Sequence, residues 1–313
     1  MRILVLGAGA LGGYFGGRLQ QAGAEVAYLV RPRRQAQLAQ DGLVIESPFG
    51  AARLPVRTIT AAEAKPGWDV VLLTCKAYDL ADAIATIRPA VDAGTAILPV
   101  LNGLSHIATL QDAFGTGAVL GGLAKIQATM GADGVVRQLN DWRWLTFGEL
   151  DGSMSPRVQA FATLAGRAEG MVATAVPDIR QRMWEKLVHL GTSAVSTVLM
   201  RANTGEIARS PGGIAFMHRV LERNAAIAAA NGQPMTEAFM AEFRAMFADT
   251  KAGYATSMLR DLEAGGRIEA DHILGFLLDQ ARAAGVLHEA HEAAYIHAKA
   301  FEQRRDAGRL PKG

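Results

Sequence analysis

Near its start the chain carries Gly7-Ala8-Gly9-Ala10-Leu11-Gly12, a G-x-G-x-x-G that follows the apolar run Ile3 to Leu6. Each glycine answers a separate demand. The first permits a tight turn, the second lets backbone approach a pyrophosphate, and the third lets helix and strand pack closely. Unpaired N–H groups and the dipole at the start of the following helix favour negative charge there. Gly7, Gly9, Ala10, Leu11 and Gly12 therefore read as a dinucleotide seat. About twenty residues on, where an NAD enzyme has a carboxylate for the ribose hydroxyls, this chain has Val30-Arg31-Pro32-Arg33-Arg34. An Arg fork holds a 2′-phosphate bidentately, and a hydrogen bond to a charged group contributes about 1.5–3 kcal/mol, which predicts a preference for NADPH over NADH of about ten- to hundredfold. Arg31, ending the second strand, is the expected phosphate ligand, whereas Arg33 and Arg34 read as a solvated basic helix start.

Three further stretches are hard to explain as packing alone: Leu73-Thr74-Cys75-Lys76-Ala77, Leu101-Asn102-Gly103-Leu104 and Trp184-Glu185-Lys186-Leu187. With the glycine turn, Ser257-Met258-Leu259-Arg260-Asp261 and Ile268-Glu269-Ala270-Asp271, they make the chain resemble the ketopantoate reductase (2-dehydropantoate 2-reductase) family. The likeness runs in order along nearly the whole sequence. It implies NADPH-dependent reduction of a small 2-keto acid to the 2-hydroxy acid, ketopantoate to pantoate on the way to pantothenate or a related substrate. It further implies Lys186 as general acid, Glu269 as the group that helps bind and orient substrate and lysine, and Asn102 beside nicotinamide and substrate. Lys76 corresponds to a lysine near cofactor and substrate, Ser257 to a serine on the substrate carboxylate, and Arg31 to the arginine on the NADPH phosphate.

The chemistry accounts for these residue types independently. Hydride addition turns a keto oxygen into an alkoxide, which needs a proton or a nearby positive charge, and an ammonium supplies both. With neutral histidines, Lys186 is the only charged residue between Glu185 and Arg201. Its helix is thus expected to be mostly buried, where desolvation lowers a lysine pKa.

The chain departs from the family pattern at two substrate-binding positions. The family lysine is followed at i+4 and i+8 by asparagines on one helical stripe, and here those positions are Leu190 and Ala194. Each lost neutral hydrogen bond is worth about 0.5–1.5 kcal/mol, so the pair lowers kcat/KM for ketopantoate by about tenfold to over a hundredfold. His189, Ser193 and Thr197 flank the stripe and are candidate replacements. The expected substrate is a 2-keto acid with a more apolar body than ketopantoate.

Other constellations carry less. His288-Glu289-Ala290-His291 has two histidines on one helix face but no third ligand and is not H-E-x-x-H, so it reads as a solvated face and no metal site is expected. Cys75 completes the run Val70-Val71-Leu72-Leu73 and reads as a buried small residue. No G-x-S-x-G is present and Cys75 is the single cysteine, which leaves no support for nucleophilic catalysis. The alternative from another class is a non-catalytic NADPH-binding redox sensor, which joint retention of Lys186, Asn102 and Glu269 disfavours. A flavin- or NAD-linked oxidase is disfavoured by Arg31 and the missing acid.

These residues need elements to hold them. Up to about residue 177, β-branched runs alternate with Ala-rich amphipathic stretches, the rhythm of a parallel sheet with crossover helices. Strands are predicted at 2–6, 25–30, 69–74, 96–100 and 118–121. Hairpins are predicted over 43–46 with 53–57, about Ser47-Pro48-Phe49-Gly50, and over 134–138 with 143–147, about Asn140-Asp141. After Pro177 the strand signals stop, and apolar residues such as Ile214, Met217, Leu221 and Ala225 recur at helical spacing. Breaks are expected at Ser210-Pro211-Gly212-Gly213, Asn231-Gly232-Gln233-Pro234 and Gly265-Gly266. The expected fold is an α/β N-terminal domain of Rossmann type with a mostly parallel sheet, residues 1–177, plus an all-α C-terminal substrate domain, residues 178–313, with the active site between them and a solvated, disordered tail from Arg304 to Gly313.

Composition excludes several classes. The 313 residues are half apolar and one-fifth charged, as in a folded globular protein rather than a disordered one. A formal net charge of +2 is far from the dense basic surface that nucleic acid demands, despite a pI near 8.8. One cysteine suits a reducing cytoplasm and no disulfide framework. Five glycines within positions 7–16 spoil a signal helix, and the uncharged run 187–200 falls short of the ~20 residues that cross a bilayer. The Ala-rich C-terminal helices suit a homodimer as well as an interdomain seam.

Overall fold

The computed structural model describes residues 1–310. It divides into two units, Met1–Leu101 with His106–Arg180, and Asn102–Ser105 with the chain from Gln181 onward. The first unit therefore runs to Arg180, and a four-residue loop after its fifth parallel strand belongs to the second.

The first unit holds β1 (Arg2–Leu6), α1 (Ala10–Gln21), β2 (Glu25–Leu29), α2 (Pro32–Asp41), β3 (Leu43–Glu46), β4 (Ala52–Leu54), β5 (Arg57–Ile59), β6 (Val70–Leu73), α3 (Leu80–Ile87), β7 (Ala96–Pro99), α4 (Ser105–Phe114, its first residue counted with the second unit), β8 (Leu120–Met130), β9 (Val136–Glu149), α5 (Pro156–Ala165) and β10 (Val172–Ala175). One sheet is all parallel in the order β5-β2-β1-β6-β7. Two neighbouring strands, β6 and β7, read as unbroken apolar runs because both faces are covered: Val70 to Leu73 and Ala96 to Pro99 are buried throughout. Strand order reverses beside β1, the crevice where open α/β sheets bind ligands. Rossmann-type topology is thus present, with helices between the parallel strands.

A second, mixed sheet was only half legible. β3 and β4 do form an antiparallel hairpin, but the strand predicted at 53–57 is two strands. Pro55, which has no N–H to give a ladder, separates β4 in this sheet from β5, which pairs with β2 in the other. The hairpin predicted about Asn140-Asp141 is not there. β9 runs through that point, and the reversal lies at the Gly131–Gly134 turn, where Gly134 has φ +78°. Asn140-Asp141 instead marks a bulge, with register slipping between Ile126↔Arg143 and Ala128↔Gln138. Asn140 Oδ1 accepts from the N–H groups of Gln127 and Trp142, both at 3.2 Å, and so satisfies donors the slip leaves over. The strand predicted at 118–121 is the start of the eleven-residue β8.

The second unit is all-α: α6 (Ile179–Met200), α7 (Thr204–Arg209), α8 (Gly213–Ala230), α9 (Glu237–Ala248), α10 (Ser257–Glu263), a π-helical turn at Asp271–Gly275 leading into α11 (Phe276–Ala283), and α12 (Glu289–Asp306). The first two residues of α6 stay with the first unit. Ile179 fills the space that a side chain at Gly121 would take, and Arg180 Nε donates to Leu150 O at 2.5 Å.

Inside the helical unit a polar chain runs through the core. Thr192 Oγ1 donates to Val188 O at 2.7 Å and accepts from Asn224 Nδ2 at 3.0 Å, which turns Asn224 Oδ1 toward His291 Nε2 at 2.8 Å. His291 is therefore a donor at Nε2, fully buried and neutral, and burial pulls its pKa down to about 4. The solvated face expected for His288 to His291 is corrected accordingly. So is the disordered tail: Arg304 to Asp306 lie in α12, and Leu310 packs on the second core. Residues 311–313 of that expectation lie outside the described residues.

Candidate active site

β1 delivers the chain to the glycine turn at the carboxyl edge of the parallel sheet. Gly7 has φ +90°, and its N–H donates to Leu29 O at 2.9 Å. A Cβ on Gly12 would lie 2.1 Å from Gly7 O and 2.6 Å from Thr74 Oγ1, so only glycine lets α1 start so close to β1 and β6. Gly9 is the N-cap of α1 without a side-chain cap, and a Cβ there meets nothing within 4 Å. An uncapped helix start bordered by open space fits a dinucleotide pyrophosphate. Thr74, unnoticed as an individual in the sequence, floors this turn and ties it to β1 by donating to Leu6 O at 2.8 Å.

The two arginines after β2 differ. Arg31 is an exposed N-cap residue of α2. Arg34, expected to be solvated, is half-buried: Nε and Nη2 donate to Ala8 O at 3.1 and 2.9 Å, and Nη2 also reaches Gly134 O at 3.1 Å. Nothing in a single sequence marks which of two arginines three residues apart turns back onto the glycine turn.

The second unit brings together Lys186, Asn102 and Glu269. Lys186 sits two turns into α6, partly buried, and its Nζ donates to Asn102 Oδ1 at 3.1 Å. Asn102 reaches it because the 102–105 loop packs with this unit. Gly103 has φ +81°, and a Cβ there would lie 2.8 Å from His272 O. Burial pulls the Lys186 ammonium down to about 8, and the Glu269 carboxylate holds it against a further fall. Glu269 is 6 % exposed and lies two residues before the π-helical turn, whose N-cap is Ala270. Within that turn, Asp271 is fastened to α12 by Tyr295 Oη at 2.7 Å and Lys299 Nζ at 3.0 Å. A π-turn is an uncommon distortion frequently found at functional sites.

Other expected positions are scattered. Ser257 is partly exposed at the first position of α10 behind the Thr256 cap. Leu190 is partly buried against the second core, and Ala194 is fully buried in it and presents no surface to a ligand. Ser193 and Thr197 are also fully buried, bonded to His189 O and Thr256 Oγ1. His189 alone of the three replacements keeps some exposure, stacked on Phe243 at 4.7 Å between ring centroids and on Tyr254 at 6.0 Å. Lys76 is exposed on the loop after β6, and Cys75 is partly exposed rather than buried. Among the described residues no cluster of three or more His, Cys, Asp or Glu is arranged for a metal, and no helix is long and apolar enough to cross a membrane.

Family models for ketopantoate reductase PanE/ApbA match residues 3–152, and for its C-terminal domain residues 178–302. The uncharacterized oxidoreductase YkpB of Bacillus subtilis is 32% identical over 307 residues, covering 96% of this chain and 99% of that protein. The 2-dehydropantoate 2-reductase of Halobacterium salinarum is 30% identical over 287 residues, 90% and 92% of the two chains. The crystal structure of 2-dehydropantoate 2-reductase from Methylococcus capsulatus superposes with a TM-score of 0.86 at 29% identity, covering 97% of this chain and 98% of that one. Together with the glycine turn and the lysine–asparagine pair, these matches show that the chain belongs to the ketopantoate reductase family of oxidoreductases.

Proposed function

We propose that this chain reduces a small 2-keto acid to the 2-hydroxy acid with NADPH, using Lys186 as proton donor. The carrying observation is the Lys186 ammonium, bonded to Asn102, desolvated to a pKa of about 8 and kept charged by a buried carboxylate. An acid with a pKa near the working pH combines a high protonated fraction with a strong tendency to give the proton up.

The turn Gly7, Gly9, Ala10, Leu11 and Gly12 would hold the pyrophosphate, and Arg31 the 2′-phosphate. When bound, the reduced nicotinamide supplies the hydride that adds to the keto carbon. Lys186 Nζ passes its proton to the keto oxygen as that oxygen takes on charge, and the amine is reprotonated from solvent. Asn102 aims the ammonium, Glu269 keeps it charged, Ser257 hydrogen-bonds the substrate carboxylate, and Lys76 adds positive charge on the cofactor side.

For the substrate body, Leu190 and the His189–Phe243–Tyr254 stack support an apolar group, branched or aromatic, over the hydroxylated body of ketopantoate. His189 and Leu190 lie one turn along α6 from Lys186, and Tyr254 is three residues before Ser257. NADPH oxidation measured against ketopantoate and a panel of branched and aromatic 2-keto acids tests this. The highest kcat/KM is expected for an apolar member, and a preference for ketopantoate over the whole panel would overturn the substrate assignment. Leu190→Asn should shift the ratio of kcat/KM toward ketopantoate by about three- to tenfold, the worth of one neutral hydrogen bond.

A further inference from the structure

Arg34 stands three residues into α2, yet its guanidinium is spent on the glycine turn and on the turn between β8 and β9. Nε and Nη2 converge on Ala8 O, Nη2 also donates to Gly134 O, and Nη1 donates to Gln37 Oε1 at 2.6 Å. Gln37 Nε2 in turn donates to Asp133 O at 3.0 Å. All three guanidinium nitrogens are thus engaged by protein. Little of this fork is left to grip a ligand.

What the fork fixes is a peptide plane. The carbonyl of Ala8 and the N–H of Gly9 belong to one planar trans peptide and point in opposite directions. Two hydrogen bonds from Arg34 hold the carbonyl toward α2, so the Gly9 N–H is turned away from α2. That N–H takes no protein acceptor among the described residues, and Gly9 borders open space. Were the plane to flip, the turn would offer a carbonyl oxygen, which repels a phosphate, where it now offers a donor.

We propose that Arg34 is a positioning residue for the dinucleotide: it locks the Ala8–Gly9 peptide so that the turn meets the pyrophosphate with an N–H, and it does not itself bind the 2′-phosphate. This rests on the NADPH reading above and divides the labour between two neighbouring arginines. Arg31 distinguishes NADPH from NADH, whereas Arg34 serves both nucleotides equally, because the pyrophosphate is common to them.

Dissociation constants of NADPH and NADH, measured by calorimetry on the full chain and on its Arg34→Ala, Arg34→Lys and Arg31→Ala variants, test this division. Arg34→Ala is expected to weaken both nucleotides alike, by about ten- to hundredfold if the lost contacts carry the usual worth of charge-assisted bonds. KM for the cofactor should rise with kcat at saturation little changed. Arg34→Lys, whose single ammonium can reach one carbonyl, should recover part of the loss for both, and it keeps the test available should the alanine variant fold poorly. Arg31→Ala should weaken NADPH alone. Loss confined to NADPH in the Arg34 variants would make Arg34 a phosphate ligand and overturn the proposal, as would unchanged affinity for both. A crystal structure of cofactor-free Arg34→Lys or Arg34→Ala separates this from the cofactor reading. A turned or multiply oriented Ala8–Gly9 peptide is expected even if the wild type bound neither nucleotide, and a peptide held as in the wild type would contradict the brace.

Discussion

At the scale of single residues the proposed chemistry rests on how α6 treats one cation. Lys186 loses hydration to its helix and regains part of it from Asn102 and Glu269, which leaves its pKa near 8. Reduction needs the protonated form, so kcat/KM should be level at neutral pH and fall as pH rises through about 8. Glu269→Gln removes the charge that holds the ammonium up, and it should move that limb toward lower pH; a pH–rate profile unmoved by the substitution would deny the coupling. Arg31→Asp should narrow or reverse the preference for NADPH over NADH in steady-state kinetics, and an unchanged ratio would put the 2′-phosphate elsewhere. The residue types at the site were legible because each has a chemical reason to be there. Glycines announced a turn, and a lysine heading an uncharged stretch that runs to Met200 announced a desolvated ammonium. Arg34 was not legible, because its task is set by where a side chain folds back rather than by type or spacing. Ala194 was legible only as a departure from a pattern; that it is sealed in the core followed from packing that one sequence does not display.

At the scale of elements, strand and helix types followed from period and composition where one driving force dominated. The buried runs of β1, β6 and β7 and the long apolar α6 are of that kind. The second sheet escaped because local signals there serve non-local ends. Asn140-Asp141 looks like a hairpin turn and is a bulge, since β8 already pairs along β9 on both sides of it. The His288 to His291 stretch looks solvated because its polar residues are read without Asn224 and Thr192, which lie far off in sequence. That relay has a pH consequence. His291 has a folded pKa of about 4 against 6.5 in the unfolded chain, so between these values the unfolded state binds the extra proton. Stability should then be full above pH 6.5 and fall as pH drops toward 4, by at most about 3 kcal/mol for this group. Urea unfolding at pH 7 and pH 5 should show a smaller difference for His291→Gln than for the wild type, and equal differences would remove His291 as a cause.

At the scale of the whole molecule the chain is interleaved rather than cut once. The 102–105 loop leaves the parallel sheet to join the helical unit and returns, and the α6 start stays with the first unit. A single boundary near Pro177 is the natural reading of where strand signals end, but it cannot show a four-residue excursion whose reason is the close approach of Gly103 to His272 O. Gly103→Ala combines a positive φ with a 2.8 Å contact against backbone, and it should cost about 1–3 kcal/mol of unfolding free energy while displacing Asn102. Loss of stability without loss of turnover would separate the loop from the site. The central claim, that the helical unit contributes the proton, is tested most directly by comparing Lys186→Ala with the wild type for kcat on the best 2-keto acid and for NADPH affinity by titration. A fall in kcat of about a hundredfold or more with NADPH affinity unchanged is predicted, whereas comparable losses in both, or a variant that still turns over, would contradict the account.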